Sequence, residues 1–179
     1  MGFVKGMDVS MAKALEAHGA SYYLDGKQDD LFRILKKCGT DMIRLRIWPD
    51  PYDASGAPYG GGNNDLQTTA ELAQRAKSSG MEVLLDFQYS DFWADPAKQI
   101  KPKAWKSLTG KELEAAVYLH TRETLKYLKN RGIIPAMVQV GNEITNGFLW
   151  PDGHVKNLAA MAGLLPVSYT HLRAHETGA

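Results

Sequence analysis

The sequence has a single cysteine, Cys38. An internal disulfide is therefore excluded, and cysteine usage leaves the redox compartment open. Cys38 itself reads as a small buried residue near a helix end. Long apolar runs are missing too: none approaches the roughly 18 residues that span a membrane. No signal peptide is legible, and the sequence leaves cellular location unassigned. Neither sign of charge is in excess, with 21 Lys and Arg against 20 Asp and Glu and a net charge of +1. That balance gives no electrostatic reason to expect nucleic acid or a charged polymer as partner; a neutral substrate fits better. Histidines at ligand spacing beside a carboxylate occur only as His171, His175 and Glu176 near the end of the chain. No metal site is expected from them.

What is present suffices for one core: 44% of the 179 residues are hydrophobic and 23% charged, ordinary proportions for a globular protein. Residues 3–10 (FVKGMDVS) read as a first strand, with Gly6, Asp8 and Ser10 on one face and Met7 and Val9 on the other. Residues 11–25 read as a polar connection. A helix follows over 28–37, with Leu31, Ile34 and Leu35 at helical spacing and Gly39 as its stop. The second strand, 42–48, turns Ile43, Leu45 and Ile47 to one face and Arg44 and Arg46 to the other. Two inward arginines are costly unless paired or at a rim; an edge strand with a solvated basic face is the alternative. A long Gly/Pro/Asn loop, 49–64, precedes a helix over 68–79, and loops of that length are often functional.

The third strand, 81–88, turns Glu82, Leu84, Asp86 and Gln88 inward. A helix over 108–130 follows, with Thr109 and Glu112 spaced as a capping box. Its core positions are Leu113, Val117, Leu125 and Leu128, and its His120 reads as a surface or half-buried residue. A fourth strand covers 134–143. Four strand–helix repeats imply a parallel sheet with right-handed crossovers. At roughly 40 residues per unit, eight units would need about 300, so the α/β chain is expected to hold about the first four units of a (β/α)8 barrel. A complete four-stranded flavodoxin-like domain is the rival. Its phosphate loop is lacking, because Ser10-Met11-Ala12 offers no glycine-rich turn.

The fourth strand ends in Val138-Gln139-Val140-Gly141-Asn142-Glu143. In a parallel barrel the C-terminal strand ends carry the chemistry. A Glu there can protonate a leaving oxygen while the Asn hydrogen-bonds a sugar hydroxyl; ordinary helix capping is the other reading of the pair. The loop after strand three holds Tyr89, Asp91, Phe92, Trp93 and Asp95, with Trp105 further on. Rings beside carboxylates suit a sugar, which needs a flat apolar face and hydroxyl acceptors. Such a cluster also suits a loop that packs on itself.

Taken together, KGMDVS, IRLRIWPDP, LLDFQYSDFWADP, KPKAW and VQVGNEITNGFLWPDG resemble glycoside hydrolase family 53, the arabinogalactan endo-β-1,4-galactanases. These are retaining (β/α)8-barrel enzymes. The resemblance covers roughly residues 3 to 160. It implies that Glu143 is the general acid/base and that Asn142 binds the 2-hydroxyl next to the scissile bond. It also implies that Arg44 supports the nucleophile. Asp8, Arg46, Asp86, Tyr89, Asp91, Trp93, Asn146 and Trp150 match sugar-contacting or supporting positions. No cofactor is implied; a calcium ion held by some relatives has no assignable ligands here. The implied partner is β-1,4-galactan or a galacto-oligosaccharide, with neither nucleic acid nor membrane, and an intact family member is expected outside the cell.

Two departures stand out. Gln88 occupies the place where the family's Asp-Phe-His-Tyr-Ser-Asp motif has histidine. The family nucleophile, a Glu ending strand seven, has no counterpart in the chain. The stretch from Pro166, PVSYTHLRAHETGA, has no apolar periodicity and reads as translated adapter sequence. Residues 1–162 are thus expected to be the N-terminal half of a barrel and 163–179 a non-native tail. Two functions follow: a retaining endo-galactanase whose isolated half is inactive, or a non-catalytic half-barrel that binds galactan weakly.

Overall fold

The computed structural model describes residues 3–166. Four parallel strands make its sheet: β1 (Gly6–Asp8), β4 (Met42–Ile47), β5 (Glu82–Phe87) and β6 (Met137–Val140), in that spatial order. The inward arginines thus lie on an interior strand, and the solvated-edge alternative for β4 falls. Register aligns Asp8, Arg44, Leu84 and Met137 at one level of the sheet and Arg46, Asp86 and Gln139 at the next. Paired residues point to one face, so the polar strand residues converge.

The opposite face is the core. Ile43, Leu45 and Ile47 of β4 and Val83, Leu85 and Phe87 of β5 are buried against two helices, α3 (Leu66–Ser78) and α4 (Gly110–Lys129). The helices contribute Leu72, Ala73 and Ala76, and Leu113, Val117, Leu125 and Leu128, respectively. Each large apolar side chain removed from water contributes about 1.5–3 kcal/mol. That burial fixes which face of the sheet is left for chemistry. No described helix is long and apolar enough to cross a membrane.

Between β1 and β4 the chain departs from the simple repeat. Instead of a bare connection there is α1 (Ala12–Ala17), then an antiparallel hairpin of β2 (Tyr22–Leu24) and β3 (Lys27–Asp29). Asp25 and Gly26 turn it, both with positive φ, as a two-residue primed turn requires. The helix expected over 28–37 is α2 (Leu31–Lys37); Gln28 lies in β3, and Asp30 caps the helix by accepting from the Phe32 and Arg33 N–H groups. Arg75 on α3 reaches Glu16 through two bonds of 2.8 Å and Asp30 at 2.6 Å, clamping α1 and α2 to the barrel wall.

Two local expectations are corrected. Cys38 is exposed, because it follows the last turn of α2 on its solvent side. Thr109 occupies the N-cap of α4, but its side chain makes no capping bond, so no capping box forms. Residues 158–166 form a helical stretch whose Leu164 is buried in the core. The remainder of the expected tail, 167–179 with His171, His175 and Glu176, lies outside the described residues.

Candidate active site

The site grows from the C-terminal ends of β1, β4, β5 and β6. Arg44 is its hub. The guanidinium donates to Asp8 at 2.5 Å, to Asp86 at 2.6 Å, to Asn142 Oδ1 at 2.9 Å and, through Nε, to Gln139 Oε1 at 3.3 Å. One side chain thereby joins all four strands, and the two inward arginines are paired as their cost requires. Arg46 is buried; it donates to the Gly61 carbonyl at 2.5 Å and lies 3.9 Å from Asp8. Its guanidinium carbon stands 4.1 Å from the Trp93 ring centre, a cation–π contact that fixes the indole.

The two carboxylates on Arg44 differ. Burial pushes Asp8 up, but hydrogen bonds from the Ser10 N–H and hydroxyl, and from Arg44, outweigh it and hold Asp8 below its ordinary value. Asp86 is fully buried, and its Oδ1 has no partner. Desolvation raises its pKa to about 6 despite Arg44 and a bond from Gln88. Arg44 engages both carboxylates.

Asn142 and Glu143 follow β6 directly. Gly141, with positive φ, ties back to the Phe87 carbonyl at 2.8 Å. Glu143 then adopts φ 52° and ψ 44°, a left-handed conformation that costs a non-glycine residue about 1–2 kcal/mol. The surroundings hold it there. Gln99, buried in the loop after β5, donates to the Asn142 carbonyl at 2.7 Å and the Glu143 carbonyl at 3.4 Å. The Asn142 carboxamide donates to the Ala94 carbonyl at 2.7 Å. The Glu143 carboxylate stays exposed. Backbone strain over-determined in this way is typical of functional positions.

The other sequence-predicted residues divide. Trp93 and Trp150, with Tyr59, Phe92 and Ile100, line an open groove of about 810 Å³ beside the strand ends. Asp91 borders it but is occupied as a staple, accepting from the Asp50 and Lys103 N–H groups. Asn146 donates to the Pro96 carbonyl and accepts the Trp150 indole N–H through its own carbonyl. Both brace loops. Tyr89 does not join the group: at φ 51° its ring turns into the core, stacks on Phe87 and bonds Thr121 at 2.9 Å. Tyr89 thus packs beneath the site, buried at 1% exposure.

Sequence reading missed Gln99, Gln139 and the Ala94 peptide. Gln139 carried a signal, because it sits two residues from Gly141 on the inward face of β6. Gln99 carried none, since its position comes from loop geometry. No cluster of potential metal ligands occurs among the described residues.

Comparison with known proteins shows the family and the fold. The profile of Glycosyl hydrolase family 53 matches residues 4–179. An endo-β-1,4-galactanase of Bacillus subtilis (strain 168) is 50% identical over 147 residues, covering 82% of this chain and 34% of that protein. An arabinogalactan endo-β-1,4-galactanase of Cellvibrio japonicus (strain Ueda107) is 42% identical over 142 residues, or 79% of this chain and 36% of the other. The solved GH53 catalytic domain of Ignisphaera aggregans superposes with a TM-score of 0.93 at 49% identity, covering 96% of this chain and 48% of that one. The chain thus spans between about a third and a half of these relatives. Its four parallel strands are part of an α/β barrel, and with the strand-end constellation in place and the profile matched almost throughout, the chain belongs to glycosyl hydrolase family 53.

Proposed function

We propose that these residues form the acid/base half of a retaining endo-β-1,4-galactanase site acting on β-1,4-galactan or arabinogalactan. The observation that carries it is the strained, exposed Glu143 at the end of β6, beside an Asn142 whose carboxamide is pinned by Arg44 and Ala94. Glu143 donates its proton to the departing glycosidic oxygen. It later takes a proton from the water that releases the glycosyl group from the nucleophile. Asn142 uses one amide N–H on Ala94 and keeps the second for a sugar hydroxyl. Trp93, held over Arg46, and Trp150 offer flat apolar faces to neighbouring rings.

Retention requires a second carboxyl about 5–5.5 Å from the acid, free to attack. Asp86 is fully buried and Asp8 is held at the end of β1 by Ser10 and Arg44, so neither is proposed as the nucleophile. The 179-residue chain is accordingly proposed to bind galactan weakly and not to cut it. Reducing-sugar release from β-1,4-galactan, measured with the chain and with Glu143→Gln, decides the matter. Neither is expected to release sugar, while galacto-oligosaccharide quenches tryptophan fluorescence in both and less so in Trp93→Ala. Sugar release by the chain and not by Glu143→Gln would mean that Asp8 or Asp86 supplies the nucleophile.

A further inference from the structure

We propose that Gln88 is the positioning residue that sets which way the Asn142 carboxamide faces. The inference rests on the reading of Asn142 as the hydroxyl-binding group. Gln88 lies one residue beyond β5 and is buried. Its Oε1 accepts twice, from the Trp48 indole N–H at 2.9 Å and from the Ala94 N–H at 3.2 Å. Its Nε2 donates to Asp86 Oδ2 at 3.4 Å. The carbonyl of the same residue, in the next peptide group, accepts from Asn142 Nδ2 at 2.7 Å. Asn142 Oδ1 takes Arg44 at 2.9 Å, and Arg44 returns to Asp86 Oδ2 at 2.6 Å. The bonds close a circuit: Gln88, Ala94, Asn142, Arg44, Asp86 and back to Gln88.

In that circuit Gln88 fixes the Ala94 backbone through its N–H, and so places the Ala94 carbonyl that accepts from Asn142. With Ala94 O and the Arg44 guanidinium on opposite sides of it, the carboxamide has one satisfied orientation. A flipped amide would aim N–H at a cation and oxygen at a carbonyl, losing two bonds at once. Trp48 matters as well. It packs edge-on to Trp93 with centroids 5.5 Å apart, so Gln88 also braces the aromatic wall of the groove.

The residue type is demanding. A carboxamide oxygen has two lone pairs and its nitrogen two hydrogens, enough for two acceptances and one donation. A neutral imidazole that donates to Asp86 has one ring acceptor left, so it cannot hold both Trp48 and Ala94. A carboxylic acid can do all three, provided that it keeps its proton. Of the charged groups, Asp86 from β5 bonds Gln88 directly, and Asp8 from β1 with Arg44 and Arg46 from β4 act on Asp86; two apposed carboxyls share one proton under mild acid.

The test uses the full chain, labelled with nitrogen-15, and follows the Asn142 side-chain amide and the Trp48 indole signals. In Gln88→Met both signals are expected to shift, and protection of the Asn142 amide from exchange to fall about tenfold, the worth of one hydrogen bond. In Gln88→His one of the two signals shifts and the other holds. Gln88→Glu is expected to match the wild type at about pH 5 and to lose the match as pH rises and the shared proton leaves. An Asn142 amide unmoved in a folded Gln88→Met overturns the proposal. Should that variant fail to fold, Gln88→Glu decides, because a pH-independent Asn142 signal there overturns it equally. Galacto-oligosaccharide titration is read separately: Asn142 signals that answer to Gln88 but ignore the sugar leave the positioning intact and remove the hydroxyl-binding role.

Discussion

A buried carboxyl and a half-buried imidazole give the chain opposite responses to acid. Asp86 keeps its proton to about pH 6, against an ordinary value of 3.8. Between those values the folded state binds more protons than the unfolded state, so stability rises as pH falls, by about 1.4 kcal/mol per unit. His120 runs the other way. Its ring sits among Phe87, Tyr89 and Trp105, its Nε2 has no partner, and burial pushes it from 6.5 down to about 4. The unfolded chain takes that proton first, so its contribution is complete above 6.5 and is lost as pH falls toward 4. The two slopes nearly cancel between about pH 4.5 and 6. Thermal melts across that window should show Asp86→Asn losing stability on acidification and His120→Phe gaining it. Slopes of the same sign in both variants would refute the assignment.

Among the elements, the turn after Glu143 is the least forgiving. Gly147 has φ 90°, and a methyl group there would run into the Gly153 carbonyl and crowd His154 and Val155. Gly147→Ala is expected to cost about 3 kcal/mol or more in urea denaturation, as strain and a clash combine; a loss under about 1 kcal/mol would show that the turn yields. The elements that the sequence made legible were the long and periodic ones. Alternation in β4 and β5 separated Arg44, Arg46 and Asp86 from the core, and helical spacing marked the buried sides of α3 and α4. Three-residue strands have no period to read, so the hairpin of β2 and β3 passed for a connection even though Asp25-Gly26 carried its turn. Thr109 and Glu112 had the right spacing, yet the hydroxyl makes no cap. The family resemblance put Tyr89 among the sugar-contacting or supporting residues, while its positive φ turns the ring into the core.

At the scale of the molecule, β1 and β6 each pair on one side only among the described residues. Phe3, Val4 and Met7 are exposed at one edge, and Ile134 and Met137 at the other. Unpaired strands flanked by apolar side chains invite association. Sedimentation velocity should show oligomers that grow with concentration and recede in Met7→Lys with Met137→Lys. A monomer at all concentrations with a sharp cooperative melt would count against an open sheet. The two loops beside the site, by contrast, are closed upon each other. Asn142 meets Ala94, Asn146 meets Pro96, Trp150 meets Gln99, and Asp152 meets Lys101. These contacts advance in step along both segments, like the teeth of a zip. The segments 94–101 and 142–152 therefore form one exchangeable cassette: acid, aromatic wall and brace travel together, and neither loop can be lengthened or borrowed from a relative without its mate.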